Sequence, residues 1–123
     1  MKKLLILPLL LLLASCYNQE RNCKDFKTGK FTFTQVIDSV QKTSTFERSE
    51  NLQIETFEGK TDTASVRWVN DCECVLQKLN PKNMQEKKSI SMRIVTTKKN
   101  TYTFEYSYVG EAKKEKGTVT KID

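Results

Sequence analysis

The chain has 123 residues, a formal net charge of +6 and no histidine. That length holds one small domain and excludes a multidomain enzyme, and the missing histidine excludes His-ligated metal centres. Eight of the eleven leucines precede residue 16, so the remainder is not the raw material of a helical bundle.

Met1-Lys2-Lys3 is a short basic head, followed by the apolar run Leu4 to Leu13 and by Ala14-Ser15-Cys16. Ten apolar residues span about 15 Å as a helix, half of a bilayer core, so the run reads as a secretory leader, residues 1–15. Small residues placed directly before a cysteine resemble the lipobox of bacterial lipoproteins. That resemblance implies diacylglyceryl transfer to the Cys16 thiol, cleavage before it and acylation of the freed amine. Two or three chains at about 0.8 kcal/mol per buried methylene hold a protein stably on a membrane. Tyr17 follows the cysteine where an inner-membrane retention signal would carry aspartate, so an outer-membrane location in the cell envelope is expected.

Residues 16–25 are polar and read as a lipidated tether, leaving residues 26–123 as a single domain. The 108 residues from Cys16 onward contain 14 Thr, 13 Val plus Ile and 11 aromatics, so 38 of them are strong strand formers. Phe31 and Phe33 alternate on the first strand, with Phe26 before them and a bend at Gly29. Thr43–Arg48 and Leu52–Phe57 form a hairpin around Ser49-Glu50-Asn51. A short helix over Gln35–Lys42 is a competing reading there, because Val36, Ile37 and Val40 fit helical spacing. Glu58-Gly59-Lys60 turns into Thr63–Val69, where Val66 and Trp68 share a face. Asn70-Asp71 interrupts, and Cys72, Cys74 and Leu76 continue the phase, as one bulged strand or as two. Asn80–Lys88 is a loop. Ile90, Met92 and Ile94 alternate, Lys98-Lys99-Asn100 reverses the chain, and Tyr102, Phe104, Tyr106 and Tyr108 make the cleanest stripe. Gly110 turns again before a closing strand over Thr118–Ile122. The expected fold is all-β, an antiparallel meander of seven or eight short strands, either a small up-and-down barrel or a curled open sheet.

With Cys16 lipidated, export leaves Cys23, Cys72 and Cys74 in an oxidising compartment. Cys72 and Cys74 share a strand face about 6 to 7 Å apart, too far to pair without strain. Cys23 therefore bonds Cys72 or Cys74. Cys72 is preferred, because Asn70-Asp71 before it marks a strand irregularity where the N-terminal segment can cross. Neither a metal set nor a redox Cys-x-x-Cys is present.

The chain resembles a group of small lipoproteins of flavobacteria and related Bacteroidota. The shared features are Asn22-Cys23, Phe26-Lys27-Thr28-Gly29-Lys30-Phe31, Arg48, Gln53-Ile54-Glu55, and Trp68 with Asp71-Cys72. The likeness covers roughly Cys16 to Leu76. It implies a β fold and supports the Cys23–Cys72 bond; where this chain has Cys74, such proteins usually have tyrosine. Some of them carry a DNA topoisomerase IV label, which 108 exported residues without an ATPase or strand-passage core do not support.

Arg48, Gln53 and Glu55 can converge across a hairpin. As a functional cluster they would bind a small anion or peptide; as a structural one they form a cross-strand ion pair with an amide, worth about 0.2 to 1 kcal/mol. The structural reading is preferred. No nucleophile has a histidine base and no Gly-rich phosphate loop is present, so no catalysis, cofactor or metal is expected. Residues 81–123 carry ten basic and five acidic side chains, an asymmetry suited to lipid phosphates or an acidic envelope partner. The pairs Lys87-Lys88 and Lys113-Lys114 should lie at one end of the meander and Lys98-Lys99 at the other, which favours solvated turns over one patch. Nucleic acid is not an expected partner. The stripe Tyr102, Phe104, Tyr106 and Tyr108, with Trp68, is core in a non-catalytic binding or structural module, or the lining of a barrel cavity in a small-ligand carrier.

Overall fold

A computed structural model describes residues 21–123; the leader and residues 16–20 of the tether, Cys16 among them, lie outside the described residues. A 3₁₀ helix, Cys23–Phe26, precedes eight strands: β1 (Gly29–Ile37), β2 (Val40–Arg48), β3 (Leu52–Phe57), β4 (Lys60–Asn70), β5 (Glu73–Lys78), β6 (Ile90–Lys98), β7 (Thr101–Tyr108) and β8 (Glu115–Lys121). Each strand pairs with the next in antiparallel fashion, and β8 returns to β1 through Phe31–Lys121, Thr32–Thr120 and Phe33–Val119. The sheet is a closed up-and-down barrel, one of the two expected forms, and it has no free edge.

Tight turns enforce the meander. Asp38 and Ser39 have φ of 52° and 64°, and Glu58 and Gly59 have 50° and 78°, the left-handed pairs that match the twist of a two-residue hairpin. The helical reading of Gln35–Lys42 is thereby corrected. Val36, Ile37 and Val40 are β-branched residues flanking a reversal, and none of them is buried. β4 and β5 are two strands, turned at Asp71-Cys72, where the Cys72 amide donates to Asn70 Oδ1 at 2.8 Å. A register shift between Trp68 and Asn70 sits beside that turn.

Since every connection reverses direction, the loops fall alternately at two ends. Residues 49–51, 71–72 and 99–100 lie at the closed end, which the 3₁₀ helix covers. The open end carries 38–39, 58–59, 79–89 and 109–114. Lys87-Lys88 and Lys113-Lys114 are at the open end and Lys98-Lys99 at the closed end, as the turn positions require.

The core fills the closed half. Phe26, Phe31, Ile94, Val119, Cys23 and Cys74 are its most buried side chains. Cys23 bonds Cys72 with a Cα separation of 5.2 Å, and Cys74 is a free buried thiol. Both ends of the 3₁₀ helix, Cys23 and Phe26, are buried, so this helix packs against the closed end of the barrel. The outer surface explains the threonine content. Pairing aligns Thr101, Thr120, Thr32, Thr45, Thr56 and Thr61 in one row across β7, β8, β1, β2, β3 and β4. Cross-strand threonine pairs of this kind contribute about 0.2 to 1 kcal/mol each.

Gly117 lets two rings meet across β8. A Cβ there would lie 2.7 Å from Phe33 and 2.9 Å from Phe104. Those rings pack edge to face at 5.6 Å. Gly117→Ala should cost about 1 to 3 kcal/mol through overpacking, read as a lower urea midpoint with unchanged m.

Candidate functional site

Inward-facing side chains do not fill the open half of the barrel. A cavity of about 330 Å³ remains there, opening at one end. Strand alternation decides its walls. β1 contributes Phe33 and Gln35, β2 Phe46 and Arg48, and β3 Gln53 and Glu55. β7 contributes its whole stripe, Tyr102, Phe104, Tyr106 and Tyr108. The rings follow one another in contact: Tyr102 and Phe104 are 6.0 Å apart edge to face, and Phe104 stacks on Tyr106 at 5.5 Å. The stripe is thus both core and lining. Tyr102 and Phe104 are buried, whereas Tyr106 and Tyr108 stand half-buried toward the mouth. Burial raises the pKa of the Tyr102 phenol against the lowering influence of Arg48, and burial with Glu115 raises that of Tyr106.

Arg48 forms the floor. Only 2% of its surface is exposed. Its Nε donates to Lys27 O at 3.0 Å, and its Nη2 donates to Phe26 O and, at 3.3 Å, to Tyr102 Oη. Nη1 donates to Gln53 Oε1 at 3.1 Å. The guanidinium carbon lies 4.8 Å from the Phe31 ring centre and 5.5 Å from those of Phe46 and Trp68. Among the described residues no carboxylate pairs with it. The expected meeting of Arg48 and Gln53 occurs, but the ion pair with Glu55 does not. Register sets Gln53 opposite Arg48 and Glu55 opposite Phe46, so Glu55 sits two residues nearer the mouth. Trp68 packs against the core under Arg48, outside the cavity lining, and its buried Nε1 has no partner among the described residues.

The mouth carries charges that chain order hides. Lys78 bridges Asp62 on β4, at 3.7 Å, and Glu86 in the 79–89 loop, at 3.6 Å. The Lys82 amide donates to Glu86, and this contact, ahead of Lys78, lowers the Glu86 pKa. Lys88 pairs with Glu111 at 3.2 Å, and Lys113 and Lys114 approach Glu115 and Glu105 at 3.8 and 3.9 Å. These lysines are paired loop tips rather than one basic patch. Six of the exposed large apolar residues, Val36, Ile37, Val40, Leu79, Met84 and Val109, also fall at this end. The sequence reading passed over Phe46, Ala64, Leu76 and Met92 as cavity walls, although alternation within β2, β4, β5 and β6 would have placed them inward.

Cys74 is chemically quiet. Burial pushes its thiol up to about 11, despite the nearby Arg48 charge. At pH 8 only ~0.1% of such a thiol is thiolate. Native protein should take up no iodoacetamide at Cys74, and unfolded protein should gain one adduct there by intact mass. No group of three metal-ligating side chains occurs among the described residues. No protein-family model matches the chain, and no curated protein or solved structure matches it.

Proposed function

We propose that this chain is a lipid-anchored protein of the cell envelope, held at the outer membrane by acylated Cys16, whose barrel carries a small ligand without transforming it. The cavity of about 330 Å³ behind Tyr102, Phe104 and Tyr106 supports the carrier reading over a purely structural module, which would pack its interior. Sites that bury small molecules begin near 300 Å³ and combine apolar walls with a few placed polar groups. Barrels of eight strands are the size at which the interior either fills or holds one such molecule.

The anchor and the mouth lie at opposite poles in this reading. The Asn22 amide donates to Thr97 Oγ1 at 2.8 Å beside the closed end, and Cys16 is five residues before Arg21. Five residues reach at most about 18 Å, so in this reading the closed end is the one kept near the anchoring membrane and the mouth is the end free to turn from it. Its apolar rim then meets a partner that delivers or receives the ligand. A likeness to the flavobacterial lipoproteins fits this placement and adds no activity to it.

Titration of the purified protein with the neutral fluorophore N-phenyl-1-naphthylamine should give saturable binding of one molecule. Ala64→Trp, which fills the cavity from β4, should abolish that binding while thermal unfolding stays cooperative. Equal binding by both proteins, or none by the parent, overturns the carrier. Palmitate labelling that persists in Cys16→Ala overturns the anchor.

A further inference from the structure

We infer that the barrel selects a ligand with an apolar body and one carboxylate, and that the carboxylate seats on Arg48, Gln53 and Tyr102 at the cavity floor. The inference rests on the carrier reading and names the class of molecule carried. It follows from counting donors. A guanidinium has five N–H groups and no acceptor. Four contacts engage those of Arg48: Lys27 O, Phe26 O, Tyr102 Oη and Gln53 Oε1. One Nη1 hydrogen is left without a partner among the described residues. Gln53 must turn its carbonyl toward Arg48, because Arg48 only donates, and its amide N–H₂ then has no acceptor among the described residues. Tyr102 Oη likewise accepts from Arg48, and its own proton has no acceptor among the described residues. All three side chains line the cavity.

The floor is therefore a set of donors around a full positive charge, with no carboxylate paired to it among the described residues. Ring faces and carbonyls offset part of the cost of burying that charge, but neither neutralises it. A carboxylate has two oxygens and about four lone-pair positions, enough for all three donors, and its single charge matches one guanidinium. Above the floor, Phe33, Phe46 and Phe104 offer only apolar surface. Glu55 and Asp62, cross-strand partners on the wall, carry the opposite sign nearer the mouth, where Lys78 holds Asp62. They repel an anion that stops halfway. The lysines at the mouth, Lys78 and Lys88, are already paired with Asp62, Glu86 and Glu111, so Arg48 is the lining cation without a carboxylate partner among the described residues.

Calorimetry with 4-phenylbutanoate, 4-phenylbutan-1-ol and 4-phenylbutylamine at pH 7 tests this, since the three share one body and differ in the head group. The acid should bind at least about tenfold more tightly than the alcohol, and the amine more weakly than either. Arg48 also holds the 3₁₀ helix, so the informative variants are Tyr102→Phe and Gln53→Leu. Each should weaken the acid by about tenfold and move the alcohol less than twofold, with far-ultraviolet circular dichroism and cooperative urea unfolding retained. An acid that binds no better than the alcohol, or an amine that binds best, overturns the carboxylate seat. The neutral fluorophore keeps the two readings apart: if it still binds, only the head-group assignment has failed, and if it does not, the carrier has failed with it.

Discussion

Replacing Arg48 with methionine should cost about 2 to 4 kcal/mol of stability and release the plug at the closed end. The side chain accounts for two backbone carbonyls of the segment Phe26-Lys27 and ties them to β2, β3 and β7 through one planar group. Methionine fills much of the volume but leaves the buried Phe26 carbonyl and the part-buried Lys27 carbonyl without their donor, and an unmade buried bond costs about 1 to 3 kcal/mol. Loss of the buried charge returns part of that cost, which keeps the net effect below the simple sum. The local consequence is specific. Trypsin should cut after Lys24 or Lys27 well before the barrel unfolds, whereas the parent should resist at both. Arg48→Lys restores the charge without the fork and should recover less than half of the loss, measured by urea midpoint. A lysine variant as stable as the parent would show that charge among the rings, not the forked geometry, holds the end together.

Removing the Cys23–Cys72 bond should be the larger blow. The two residues are 49 apart in sequence, and cross-linking a loop of that length stabilises a fold by about 3 to 4 kcal/mol through the unfolded chain. The double change Cys23→Ser, Cys72→Ser avoids a stray pairing with Cys74. Its urea midpoint should fall and its m value rise, because the unlinked chain exposes more surface on unfolding. Dithiothreitol should bring the parent to the same midpoint. Since the bond and Arg48 hold the same helix, the two losses should not add: the combined variant should be less destabilised than the sum, a coupling expected for residues sharing one clamped element. Strict additivity would mean that the disulfide acts through the chain alone.

Much of the barrel was legible in the chain. Period-two alternation placed Phe31 and Phe33, Val66 and Trp68, and the β7 stripe on common faces, and these faces all point inward. The turn at Glu58-Gly59 and the Lys98–Asn100 reversal also lie where their residue types put them. The stretch from Gln35 to Lys42 misled because Val36, Ile37 and Val40 satisfy two periods at once, and only the left-handed Asp38-Ser39 pair decides for a hairpin. The site was half legible. Arg48 meets Gln53, but Glu55, which shares a face with Gln53, is set opposite Phe46, and a shared face does not say which residue the neighbouring strand sets opposite which.

What the sequence by itself determined was an antiparallel β meander and the shared faces of its clearest stripes, because those depend on contacts between near neighbours. The division of residues 63–76 into two strands was set by the turn at Asp71-Cys72. Closure of β8 onto β1, between Phe33 and Val119, was decided only in three dimensions. So was the cavity, whose volume depends on how rings from several strands fill one interior rather than on the volume of any one. The same holds for Arg48, whose partners, the segment Phe26-Lys27, Gln53 and Tyr102, come from three places along the chain. A pattern of period two says which way a side chain points, but whether it meets an acceptor, a ring or empty space is set by the strands across the barrel.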